Sequence, residues 1–202
     1  MADKFQDKYR IPSARLQSWN YGWNAIYFIT ICTRNHVAYF GEIKSSNMIL
    51  SETGEIATNF LLEIPGRYSY ARLDEYVIMP NHVHMIMVID KGHDGLDGAD
   101  VKNRDAINRR DAINPDKNLN RNSIKPGGVT GNNNPMLYNN VSRICNWYKG
   151  RVTNESRKIN PNYGWKSRFH DHIIRDDAAY QRIKKYIITN PMNWDDDKYN
   201  PQ

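Results

Sequence analysis

The run Met79-Pro80-Asn81-His82-Val83-His84-Met85-Ile86-Met87-Val88-Ile89-Asp90 decides how the rest of the chain is read. It divides at Pro80-Asn81 into the end of one strand, Leu73 to Met79, and a second strand, His82 to Asp90. Side chains alternate across a strand, so Val83, Met85, Met87 and Ile89 share one face. His82, His84, Ile86 and Val88 share the other. Two imidazoles spaced in this way can reach one metal ion at about 2.1 Å. The same spacing also suits two partly buried histidines hydrogen-bonded within a sheet, and the pair alone leaves both readings open.

Working towards the N-terminus, Ser51-Glu52-Thr53-Gly54-Glu55 offers a Ser or Thr cap to a helix whose apolar face is Ile56, Phe60, Leu61 and Ile64. Pro65-Gly66 is expected to end it. Phe40 to Leu50 reads as an extended stretch. Ala25 to Thr33, rich in β-branched and aromatic residues, reads as a central strand. Residues 1–20 are basic and polar and read as an N-terminal arm.

Towards the C-terminus the composition changes. Residues 91–135 carry many Asn, Asp, Gly and Arg and few large apolar side chains, and Arg104-Asp-Ala-Ile-Asn108 recurs as Arg110-Asp-Ala-Ile-Asn114. Such a stretch buries too little surface to offset its ordering entropy, so a flexible insertion is expected there. Order resumes at Met136, with Leu137, Val141, Ile144, Cys145, Tyr148 and Val152 at helical spacing. Trp165 to Arg175 reads as a further strand. Asp176-Asp177 caps a last helix running to about Asn190, closed by Pro191. Strand, strand, helix, strand, strand, insertion, helix, strand, helix is an α+β order: short antiparallel strands with helices packed on one side.

The bulk numbers bound the class. A chain of 202 residues suits one domain, here 21–199, interrupted by the insertion. Hydrophobic residues make up 40%, enough for a core, while the mean hydropathy of −0.77 demands a very polar surface or an unfolded part. A net charge of +6 favours a polyanionic partner such as nucleic acid. The cations along the later segments, Arg143, Lys149, Arg151, Lys166, Arg168 and Arg175, are candidates for phosphate contacts or for a solvated face. No signal-peptide core opens the chain, and the apolar run Ala25 to Cys32 is shorter than the roughly 20 residues a bilayer needs. Cys32 and Cys145 have no metal-like spacing and read as buried thiols. A soluble cytoplasmic protein is expected.

Tyr186 and Asn190 stand four apart on the last helix and therefore share a face. A phenol can attack phosphorus once its proton leaves, and an amide oxygen can bind a metal beside it. Core packing of Tyr186 with Ile183 and Ile187, with Asn190 ending the helix, is the alternative. Tyr148 and Tyr180 are the rival nucleophiles. His170 and His172 can orient a ligand or serve the sheet. An unrelated metal-binding protein using the His pair is a further reading, against which two facts weigh: the metallo-hydrolase pattern has Asp-His directly after the pair, where Met85-Ile86 stand here, and barrel-type amidohydrolases need roughly 250 residues.

Several motifs in order carry a family resemblance. Met79-Pro-Asn-His-Val-His84 resembles the histidine–hydrophobe–histidine signature of the HUH endonucleases. Trp165-Lys-Ser-Arg-Phe-His-Asp-His-Ile-Ile-Arg175, followed by Tyr186-Ile-Ile-Thr-Asn-Pro191, resembles the C-terminal block of REP-associated tyrosine transposases and related single-tyrosine insertion-sequence transposases. Tyr21 to Ile43, ending in Tyr39-Phe-Gly-Glu-Ile43, resembles the opening of bacterial members. The resemblance spans most of 8–90 and 136–199. It implies a ferredoxin-like antiparallel sheet and a divalent metal, Mg or Mn, held by His82, His84 and Asn190, where many insertion-sequence relatives carry Gln. It further implies Tyr186 as the nucleophile of a single-stranded DNA nicking and rejoining reaction on hairpin-flanked DNA, through a 5′-phosphotyrosine. It leaves open a homodimer, and a non-catalytic hairpin-binding protein on the same fold.

Overall fold

The computed structural model describes residues 4–5, 8–9, 19, 21, 23–92 and 139–201. The arm expected over 1–20 and the insertion expected over 91–135 fall almost wholly outside these residues. Beyond a short antiparallel pair, β1 (Lys4–Phe5) and β2 (Lys8–Tyr9), the strands are β3 (Ala25–Cys32), β4 (Gly41–Lys44), β5 (Asn47–Leu50), β6 (Ala71–Met79), β7 (His82–Ile89) and β8 (His170–Ile174). The helices are α1 (Glu52–Leu62), α2 (Ile64–Arg67), α3 (Val141–Ile159) and α4 (Asp177–Thr189).

Four strands form the main sheet in the order β6-β7-β3-β8, every neighbouring pair antiparallel. With α1 between β3 and β6 and α3 between β7 and β8, this is the ferredoxin-like arrangement that the motif order implies. β7 is buried along its whole length, which explains why apolar residues occupy both of its faces. Its first face, Val83, Met85, Met87 and Ile89, joins Tyr27, Ile29 and Ile31 of β3 under the apolar sides of α1 and α3. Ala57, Phe60 and Leu61 come from α1, and Val141, Ile144, Cys145, Tyr148 and Val152 from α3. Each fully buried Val, Leu, Ile or Met side chain among them contributes on the order of 1.5–3 kcal/mol.

The opposite face is covered as well. Ile86 and Val88 pack with Ile26 and Ile174 against Ala179, Tyr180 and Ile187 of α4. The helices therefore lie on both sides of the sheet, not on one side as the sequence order suggests. The two histidines of β7 share α4's side of the sheet, and this is what brings α4 to them.

Local signals behave as capping chemistry requires. Ser51, Asn140 and Asp176 each accept a hydrogen bond from the backbone N–H three residues on, at the starts of α1, α3 and α4. Four boundaries differ from expectation. Phe40 to Leu50 is no single stretch: Ser45 and Ser46 take left-handed conformations (φ 49° and 62°) and turn it into the β4–β5 hairpin, a sheet of its own. Pro65 stands in the first turn of α2 and starts a helical turn rather than ending one. Asn140, not Met136, opens α3; residues 136–138 lie outside the described residues. The strand expected over Trp165 to Arg175 shrinks to β8, because Arg168 adopts a left-handed φ of 70° and leaves Trp165 bridged only to Thr33.

Candidate metal and nucleophile site

The β3–β7 register sets Thr30 opposite His84 and Cys32 opposite His82. Both imidazoles are buried, at 0% and 1% exposure, and their ring centroids are 4.5 Å apart. Their surroundings fix their chemistry. Asn81 uses its amide nitrogen to donate to the carbonyls of His36 and Tyr199 at 3.1 and 2.7 Å. This orientation turns its Oδ1 towards His82 Nδ1, 2.9 Å away. A carbonyl oxygen only accepts, so Nδ1 carries the proton and Nε2 keeps its lone pair. His84 Nδ1 lies 2.8 Å from the Thr30 hydroxyl, and when it donates there its Nε2 keeps the lone pair that a metal ligand needs, turned towards the Tyr186 oxygen.

α4 and the 3₁₀ turn after it, Asn190–Asp196, supply the other half. Tyr186 Oη is 3.2 Å from His84 Nε2 and donates to Asp197 Oδ2 at 3.3 Å. Asn190 donates through Nδ2 to the same carboxylate oxygen at 2.9 Å. Asp197 Oδ1 accepts from the backbone of Tyr199 at 2.7 Å, and the Tyr199 ring lies 4.6 Å from that of His82. Phe28 meets Tyr186 edge-on at 6.2 Å and holds the phenol over the sheet.

Two buried acceptors are left over. Neither His82 Nε2 nor Asn190 Oδ1 has a hydrogen-bond partner. An orphaned buried acceptor costs about 1–3 kcal/mol, and two facing the same cluster call for something positive. Ligand atoms of His82, His84 and Asp197 all lie within 4.8 Å of one another. Two imidazoles, an amide oxygen and a carboxylate are donors that a divalent cation takes. The donor set therefore fits a divalent metal.

The electrostatics agree. Burial pushes His82 down to about 4, with the Asp197 charge pulling the other way. Burial, then the neighbouring His82, holds His84 well below the ordinary 6.5. Both rings are neutral at pH 7, the form a metal ligand requires. Burial, then the Asp197 charge, raises the Tyr186 phenol, so it is protonated until something removes the proton. Tyr186 is nonetheless 37% exposed and reachable by a substrate.

The rival tyrosines are not. Tyr148 is fully buried and donates to the Ala57 carbonyl at 3.1 Å. Tyr180 is 2% exposed and donates to Asp74. His170 and His172 stand on β8, opposite Thr30 and Phe28, exposed on the same side of the sheet as the histidine pair but not in the cluster. The six candidate cations divide. Lys149 and Lys166 line one groove. Arg143 and Arg151 occupy another flank of α3, the first donating to Asn139 Oδ1 and the second lying over the Phe60 ring at 4.8 Å. Arg168 and Arg175 are exposed at the two ends of β8. Sequence reasoning missed Asp197, Asn81 and Thr30. The acidic run Asp195-Asp196-Asp197 was a visible signal, but nothing in it said that the chain turns back.

No protein-family model matches this sequence. An uncharacterised protein of Haemophilus influenzae is 30% identical over 187 residues, covering 92% of this chain and 91% of that one. Among solved structures, a REP-associated tyrosine transposase bound to a REP hairpin aligns with a TM-score of 0.55 at 15% identity, over 95% of this chain and 78% of the other. No described helix is long and apolar enough to cross a membrane.

Proposed function

Given that the chain belongs to one family with the Haemophilus influenzae protein and has the fold of a REP-associated tyrosine transposase, we propose that it nicks and rejoins single-stranded DNA. The substrate class is DNA flanked by hairpins, the ligand of that structural relative. The observation that carries the reading is the convergence of a reachable phenol, Tyr186, on two buried neutral imidazoles and two orphaned acceptors.

His82, His84 and the amide oxygen of Asn190 would hold a divalent cation, which when bound would supply Lewis-acid polarisation of a phosphate oxygen. The chain's own residues do the rest. Phe28 and His84 aim the Tyr186 oxygen, and Asp197 Oδ2, already its hydrogen-bond acceptor, takes the proton as that oxygen attacks phosphorus. The new bond is phenol oxygen to phosphorus. The bond that breaks joins phosphorus to the 3′ oxygen, which leaves as a hydroxyl with a proton returned from Asp197 or solvent. A later attack by a 3′-hydroxyl on the phosphotyrosine reverses these steps and restores the phenol, so no ATP is consumed.

The test is covalent capture. Wild-type protein incubated with labelled hairpin-tailed single-stranded DNA and Mn should form a denaturation-resistant adduct, and Tyr186→Phe should form none while still folding and binding DNA. An adduct that survives in Tyr186→Phe assigns the nucleophile elsewhere. No adduct with any hairpin substrate or divalent metal reduces the protein to a hairpin-binding module.

A further inference from the structure

A groove that the proposed chemistry leaves unused runs behind the site. Its walls are the hook at Arg34–His36, the segment 164–167, and the flank of α3 bearing Lys149, Thr153 and Arg157. Every formally charged side chain lining it is a cation: Arg34, Lys149, Arg157 and Lys166. Among the described residues none of the four is paired with a carboxylate.

Backbone carbonyls hold them instead. Lys149 Nζ donates to the carbonyls of Lys166 and Arg168 at 2.9 and 3.1 Å. Arg157 Nε donates to the Tyr163 carbonyl at 3.1 Å. The Arg34 guanidinium lies so close over Gly164 that a Cβ there would stand 2.6 Å from its nitrogen. The hook itself is held in left-handed conformations at Asn35 and His36, φ 55° and 54°, an arrangement that costs free energy for non-glycine residues. Gathering like charges without counter-charges is unfavourable until an anion enters, and cations already anchored lose little freedom when it does.

The shape selects the anion. From Arg34 and Lys166 the groove continues past Asn35 to His36. The His36 ring stacks on Tyr199 at 5.8 Å, and Tyr199 lies against His82. The His36 end of the groove is therefore joined to the His82 ring through Tyr199. A free phosphate would use one end of the groove; a phosphodiester strand leading away from Tyr186 would use all of it.

We infer that this groove binds the phosphates of the single strand flanking the cleaved bond, with Arg34 and Lys166 as its central contacts. The inference rests on the nicking reading for the origin of the strand, but its test reads binding alone. Affinity of the full chain, with divalent metal chelated, is measured for a DNA hairpin carrying a short thymidine tail on the 5′ side, on the 3′ side, or on neither. One of the two tails tightens binding of the wild type about tenfold. In Arg34→Ala and in Lys166→Ala that gain disappears, and the salt slope for the tailed hairpin falls by about 0.7 per lost contact. Both variants retain the backbone pairing here, which uses Arg34 N–H to the Gly164 carbonyl and Lys166 N–H to the Cys32 carbonyl. If the variants weaken tailed and tailless hairpins by the same factor, or neither tail helps the wild type, the groove is not on the strand's path. A covalent adduct with unchanged tail dependence overturns the groove and leaves the nicking reading standing; a tail effect without an adduct does the reverse.

Discussion

The phenolic oxygen of Tyr186 and the Oδ2 of Asp197 stand 3.3 Å apart across eleven residues of sequence. The same carboxylate oxygen takes the Asn190 amide at 2.9 Å. The 3₁₀ turn after α4 is thus what folds the acid back over the helix that carries the tyrosine. One carboxylate there can bind metal or accept the phenol's proton, and the two roles leave different traces.

Asp197→Asn separates them. The imidazoles and the Asn190 oxygen remain, so Mn affinity by calorimetry should change only a few-fold, while adduct formation slows by about a hundredfold or more for loss of a general base. If Mn affinity collapses together with the rate, the carboxylate is a ligand and the proton goes elsewhere.

The histidine pair makes stability depend on pH. In the chelated protein His82 titrates near 4 and His84 well below 6.5, whereas in the unfolded chain both titrate near 6.5. Between those values the unfolded state binds more protons, so stability is full above about 6.5 and is lost as pH falls towards 4. Urea midpoints should drop from pH 7 to pH 5, and His82→Leu should flatten that slope. A slope unchanged in the variant would move its origin to other groups. At neutral pH, His82→Ala or His84→Ala should remove Mn-dependent cleavage and keep most DNA affinity.

Tyr148→Phe removes one buried hydrogen bond, to the Ala57 carbonyl, and should cost about 1 kcal/mol of stability without touching the adduct. Tyr180→Phe frees Asp74 from the phenol but leaves it facing Lys184 at 3.4 Å, and it too should stay reactive. Loss of the adduct in either variant, at normal stability, would reopen the choice of nucleophile.

What the residues disclosed in advance follows a physical division. Strand periodicity set His82 and His84 on one face, and helix periodicity put Tyr186 and Asn190 on one face, because both periods are local. Which face of the sheet α4 would cover is not local. Ile86 and Val88 announce a second apolar side only once their strand is known to lie in the interior, and the one-sided helix layer therefore came out wrong. Asp197 was illegible for the same reason: its role depends on a chain reversal through Asn193, at φ −108° and ψ 23° inside the 3₁₀ turn. Ser45-Ser46 carries no Gly or Asn to advertise a tight hairpin turn, which hid the β4–β5 pair.

The last prediction concerns residues 93–138. Their flanks meet in space: Lys91 Nζ donates to the Asn139 carbonyl at 2.7 Å, and the Lys91 N–H to Asn24 Oδ1 at 3.0 Å. β7 and α3 on either side are complete, with Asn140 capping the helix from outside the segment. A short Gly-Ser bridge from Gly92 to Asn139 then needs to span only the gap between two bonded neighbours. Loop-closure entropy changes by only about 0.6 kcal/mol for each doubling or halving of length. The shortened protein should melt within about 4 °C of the full chain and should form the Tyr186 adduct. Limited proteolysis of the full chain should cut within 93–138 before α3. A shortened chain that fails to fold, or a protease that cleaves α3 first, would make the segment part of the domain it interrupts.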